Sequence, residues 1–107
     1  MVNLKQLYLN DNRIKYIEYT PLACLVNLKY LNLNNNKINV LNQNLTYGLS
    51  EMKKLYVQSN QIKYVDINAF DDLINLDTIF LQYNLFDADS EFILNITSEY
   101  PRIKFYL

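Results

Sequence analysis

The stretch LKYLNLNNNKI, Leu28 to Ile38, decides the fold. Leu31 and Leu33 stand two residues apart, which is the spacing of a strand with one buried side. Asn36 follows where the chain must leave the strand direction. A short amide there can both donate to and accept from backbone groups of a neighbouring segment that would otherwise go unpaired. The same wording recurs as LKQLYLNDNRI from Leu4, MKKLYVQSNQI from Met52 and LDTIFLQYNLF from Leu76, so that Asn12, Asn36, Asn60 and Asn84 recur every 24 residues. Repetition at a fixed period implies one supersecondary unit stacked on itself.

This pattern, L-x-x-L-x-L-x-x-N-x-L, is similar to that of the leucine-rich repeat family, and the resemblance covers nearly the whole chain. The 24-residue length, with an apolar or aromatic residue at position 19, resembles the typical class of extracellular animal proteins. Phe70 supplies that residue, Leu22 substitutes for it, and Thr46 departs from it, with Tyr47 the neighbour that would take its place. The resemblance implies an α/β-like repeat solenoid, a short right-handed superhelix with a parallel concave β-sheet and an irregular or short-helical convex side. It also implies that Asn12, Asn36, Asn60 and Asn84 form a buried asparagine ladder.

A single domain over residues 1–107 is expected, with four full repeats starting at Leu4, Leu28, Met52 and Leu76 and a partial one from Tyr100. In that partial repeat Ile103 and Phe105 are assigned the inner strand positions. Asp89 falls where the fourth repeat needs an apolar residue. The stretch from Asp87 to Tyr100 instead has Phe92, Ile93 and Ile96 at helical spacing, acids at its start and Pro101 behind it, and so predicts a C-terminal helix. At the other end Met1-Val2-Asn3-Leu4 aligns with Leu25-Val26-Asn27-Leu28, which puts Met1 at an interior position. Solenoid ends need polar caps. The chain therefore reads as a fragment of a longer solenoid, or as a module whose open end another subunit covers.

The chemistry of catalysis is thin. The 107 residues contain no His, the commonest general base and metal ligand, and one Cys, which has no partner within the chain. Neither an enzyme nor a cofactor or metal site is expected. Cys24, between apolar Leu22 and Leu25, reads as a small buried hydrophobe. Asp87 to Glu91 has the alternating oxygens of a calcium loop, but Phe92 stands where such a loop needs Gly. A net charge of −1 gives no support for nucleic-acid binding, and no apolar run is long enough to insert into a membrane. The charge is unevenly spread, however. Residues 1–65 carry eight Lys or Arg against three acids, and residues 66–107 carry two against eight.

Binding is expected at the variable strand positions, whose side chains point away from the core. Their central column reads Tyr8, Asn32, Tyr56, Phe80 and Lys104, flanked by Lys29, Lys53, Tyr30 and Lys54 and, beyond the strands, by Tyr83. Two readings stay open for the aromatics. They are ordinary cross-strand neighbours with good β propensity, or they are the large, low-entropy contacts that interfaces favour. Asn44 and Asn95 begin glycosylation sequons, although 16 Asn and eight Ser or Thr would produce about one such match by chance.

The family resemblance implies a non-enzymatic module of a secreted or cell-surface protein, binding a protein partner through its concave face, in innate immunity or another recognition role. The alternatives are an assembly element forming a homo-oligomer through its exposed N-terminal end, or a cytoplasmic scaffold, which suits the lone Cys.

Overall fold

The computed structural model describes residues 3–15, 22 and 24–107. Among them, the apolar strand positions build a five-stranded parallel sheet from β1 (Gln6–Tyr8), β2 (Tyr30–Asn32), β4 (Lys54–Tyr56), β6 (Thr78–Phe80) and β7 (Lys104–Tyr106), in that order. Leu7, Leu31, Leu55 and Ile79 lie in register across the first four strands. Each coil adds one strand beside the last, and its inward leucines close on those of its neighbours. Leu28, Leu31, Leu33, Met52, Leu55, Val57, Leu76, Ile79 and Leu81 are at most 1% exposed. Leu4, Leu7 and Leu9 of the first coil are only half-buried.

Asparagine links the coils. Asn60 Nδ2 donates to the carbonyls of Val57 and Gln58 in its own coil and of Leu33 in the preceding one, at 2.9 to 3.2 Å, while its Oδ1 accepts the Ile38 N–H at 3.0 Å. Asn36 and Asn84 repeat the arrangement one coil down and one coil up. Asn36 and Asn60 are buried, but Asn12 is exposed and, among the described residues, its side chain bonds to Leu9 and Asn10 of its own coil. The residue before each of these asparagines is left-handed: Asp11, Asn35, Ser59 and Tyr83 have φ between 56° and 62°.

The far side of each coil carries apolar side chains of its own. Ile38, Leu41, Ile62 and Val65 are buried, and a second, two-stranded parallel sheet pairs β3 (Val40–Leu41) with β5 (Tyr64–Val65). The family pattern did not announce these strands. A one-turn helix, α1 (Gln43–Thr46), follows β3, with Asn42 Oδ1 accepting the Asn44 N–H at its start. Thr46 itself fills the core position at 2% exposure, its hydroxyl 3.5 Å from the Ala69 carbonyl, while Tyr47 is 51% exposed. The expected handover to Tyr47 does not occur, because a threonine methyl fits the site once its hydroxyl has an acceptor. Cys24 is also corrected: it is exposed, in the turn closed by the Leu25 N–H on the Leu22 carbonyl, and not buried beside those leucines. The reading of Met1 falls outside the described residues.

The C-terminal helix α2 spans Glu91–Glu99 and buries Ile93 and Ile96. Asp87 to Ser90 form the turn before it, closed by the Ser90 N–H on the Asp87 carbonyl. The final strand comes later than the repeat arithmetic suggests. Phe80 pairs with Tyr106, and Lys104 pairs with Thr78, so the last coil is two residues longer than the others. Ile103 N–H bonds to the Tyr100 carbonyl as Leu76 N–H bonds to that of Leu73. Tyr100 therefore packs on the far side of the core, in the place of Leu73, and does not hold the first position of a repeat. Its ring meets Phe70 edge-on at 5.6 Å, and its hydroxyl donates to the Ile67 carbonyl and the Asp71 carboxylate. Arg102 reaches back to the Leu73 and Leu76 carbonyls, tying the last coil to the one before.

Two consequences are measurable. Asn60→Ala strands an amide and carbonyls inside the stack and should cost about 2–4 kcal/mol in urea denaturation, whereas water replaces the bonds lost in Asn12→Ala, for less than about 1 kcal/mol. Burial and the Asp71 carboxylate hold the Tyr100 proton well above the ordinary tyrosine value of 10.0. The folded state therefore binds that proton more tightly than the unfolded state, and its contribution is fully present below pH 10 and lost as pH climbs above it. Stability of the wild type should fall more steeply above pH 10 than that of Tyr100→Phe.

Candidate functional site

Parallel pairing brings every fifth-position side chain into one column at the strand spacing, about 4.8 Å. That column is Tyr8, Asn32, Tyr56, Phe80 and Tyr106. Tyr106 takes the place assigned to Lys104, which lies beside it with its ammonium 5.2 Å from the Tyr106 ring centre. The rings of Tyr56 and Phe80 stack at 4.6 Å and 3°, and those of Phe80 and Tyr106 at 4.9 Å and 5°. Neighbouring rungs of the sheet thus hold three nearly parallel, stacked rings, offering edges and hydroxyls to solvent while their faces cover one another.

Tyr8 is separated from this stack by Asn32. It is 65% exposed, and its hydroxyl donates to Gln6 Oε1 at 3.0 Å. Gln6, Tyr8, Tyr30, Asn32 and Tyr56 line an open recess of about 410 Å³ on this face. Lys5, Lys29 and Lys53 stand immediately before β1, β2 and β4. Lys54 reaches Asp77 at 3.4 Å, the ion pair found among the described residues, where the basic half of the chain meets the acidic half. An amide row runs alongside: Asn34 Nδ2 donates to Gln58 Oε1, and Asn34 Oδ1 accepts the Gln58 N–H at 2.7 Å.

Tyr83 lies apart from the stack. It is 80% exposed and occupies the left-handed position that Asn35 and Asp11 fill elsewhere. A bulky side chain at positive φ is costly, and Asn and Asp tolerate it best. Spacing alone gave no sign of this; only the backbone angles show it.

A second recess, of about 540 Å³, lies on the far side between β5 and α2, lined by Tyr64, Val65, Ile67, Phe92, Asn95, Ser98 and Glu99. It is larger but holds one ionisable acid and no base. Asn95 lies on its rim, and Asn44 is exposed at the start of α1. The described residues hold no group of three or more His, Cys, Asp or Glu set to bind a metal, and no helix among them is long and apolar enough to cross a membrane.

Comparison with known proteins agrees with the repeat geometry. The leucine rich repeat profile matches residues 26–86, and a profile for two copies of the repeat matches residues 2–46. Among solved structures, TLR13 in its complex with ssRNA13 is 33% identical over 96% of this chain, with a TM-score of 0.86. Internalin C2 of Listeria monocytogenes is 35% identical over 88%, with a TM-score of 0.66. Toll of Drosophila, in its complex with Spatzle, is 23% identical over 95% with a TM-score of 0.79, a likeness of fold. This chain spans 14% of the TLR13 chain, 38% of the internalin chain and 14% of the Toll chain. Among curated protein sequences there is no significant match.

The backbone at Tyr83 yields a direct test. Tyr83→Asn should raise stability by about 0.5–1 kcal/mol in urea denaturation, because the amide side chain tolerates the left-handed conformation and an 80% exposed ring has little packing to lose.

Proposed function

The chain belongs to the leucine-rich repeat family, and from that premise we propose that it is a recognition module binding a protein partner through the face of its five-stranded sheet. One observation carries the reading: the Tyr56–Phe80–Tyr106 stack and Tyr8 stand in a single column on a face the core does not use. Core packing asks nothing of these positions, since the alternating residues Leu7, Leu31, Leu55 and Ile79 do the inward filling. Stacked rings are rigid, so contact with a partner costs little side-chain entropy, and aromatics dominate interface energetics.

The family and the fold are typically those of non-enzymatic binding modules. Toll and TLR13, the latter solved with an RNA, suggest a setting in recognition and innate immunity. Placement outside the cell, with glycans at Asn44 and Asn95, is part of the same proposal; both amides lie off the concave column, so glycans there leave it clear. The acidic C-terminal half argues against an extended nucleic-acid track.

The test uses a binder selected from a displayed protein library against the wild-type chain. Tyr56→Ala and Phe80→Ala should each weaken it by at least about tenfold, that is about 1.4 kcal/mol, while Tyr64→Ala and Val40→Ala on the far side leave it unchanged. Losses confined to Tyr64 and Val40 would move the site to the opposite surface.

A further inference from the structure

We infer that the concave column has one missing rung, over Asn32, and that this slot takes an aromatic side chain from an acidic segment of the partner protein. The inference rests on the concave-face reading above and sharpens it to a single subsite. Rings occupy four of the five in-register positions: Tyr8, Tyr56, Phe80 and Tyr106. Where neighbouring rungs both carry rings they stack, at 4.6 and 4.9 Å. Tyr8 and Tyr56 are two strand spacings apart, about 9.6 Å. A planar group needs about 3.5–4 Å to each flanking face, so the gap admits one ring and not two.

The slot is open and shaped. Its lining is Tyr8, Tyr56, Tyr30, Gln6 and Asn32, around a recess of about 410 Å³. Asn32 is too short to fill it, and its Oδ1 is engaged by the Asn34 N–H at 3.0 Å, which holds the side chain to its own strand. Tyr56 uses one face on Phe80 and turns the other toward the recess.

Charge chooses the occupant. Lys5, Lys29 and Lys53 form a row along the starts of the three strands that frame the slot, and the described ion pair, Lys54–Asp77, involves none of them. An arginine guanidinium is planar but meets this row as a like charge. An aromatic flanked by carboxylates relieves it. A nucleic acid is anionic as well, yet it binds by laying successive bases on successive platforms. Here the next three rungs are already closed by the protein's own rings, so one base at most would stack. Asp77 and the acidic half of the chain lie alongside those rungs.

The probe is the peptide Asp-Glu-Tyr-Asp-Glu, titrated into the ¹⁵N-labelled 107-residue chain by NMR. Controls are Asp-Glu-Ala-Asp-Glu, Lys-Lys-Tyr-Lys-Lys and a uridine octamer. The expected result is a set of shifts centred on Gln6, Tyr8, Tyr30, Asn32 and Tyr56, with both control peptides at least about fivefold weaker. Tyr8→Ala should weaken the tyrosine peptide by about fivefold without unfolding, since Tyr8 is largely exposed. Asn32→Tyr should fill the rung and abolish binding while the chain stays folded. Three results overturn the slot: no shifts with the tyrosine peptide at about 1 mM, equal binding of the alanine peptide, or tighter binding of the octamer at these residues. Shifts confined to Phe80 and Tyr106 would also overturn it and leave the concave reading standing. Shifts only around Tyr64 and Phe92 would sink both.

Discussion

The carboxamides of Asn36, Asn60 and Asn84 each hold two successive coils together, donating to carbonyls of both and accepting an N–H from the earlier one. Everything else follows from that link. It requires the backbone of one coil to present a carbonyl and an N–H at a fixed place relative to the next, which keeps successive coils at the same length and their strands in the same register. The leucines then meet leucines across the stack, and the surface positions fall into columns. A residue without both a donor and an acceptor on a short stem could not make the joint, and the left-handed residue before each Asn shows what the backbone gives up to aim it.

Columns at the strand spacing have a physical consequence for recognition. Identical or similar planar side chains on adjacent rungs stack on one another, so Tyr56, Phe80 and Tyr106 become a single rigid body whose faces are spent internally. What remains for a partner is edges, hydroxyls and the face at each end. A short residue in the column, Asn32, interrupts the stack and restores two ring faces to solvent. The binding character of this surface thus depends as much on the interruption as on the aromatics. The charge gradient along the chain turns over at Lys54 and Asp77, which places the interruption inside the basic half.

Much of this was legible in the order of residues. The leucine positions, the parallel sheet and the helix around Phe92 to Ile96 follow from periodicity, because burial on one face of a strand or helix is a local pattern. The column containing Tyr8, Asn32, Tyr56 and Phe80 could be drawn from the 24-residue register alone. The places where sequence reasoning failed share a cause. Assigning Lys104 to the fifth rung assumed a constant coil length, but α2 replaces the short segment of the other coils and the strand that follows is displaced. Thr46 was discounted on polarity, although the Ala69 carbonyl accepts its hydroxyl and makes it a core residue. Cys24 was read as buried from its apolar neighbours, yet it sits in a tight turn that faces it outward.

The sequence by itself determined the repeat, its period, the strand leucines that face inward and the sign of charge on each half, because each of these is carried by residue type at a fixed spacing. The tertiary structure alone decided which rings touch, where the stack is broken, that Tyr83 stands at positive φ, and that Tyr106 completes the column. Those facts depend on distances between coils and on backbone angles at their joints. Such quantities arise only when one coil is laid against the next.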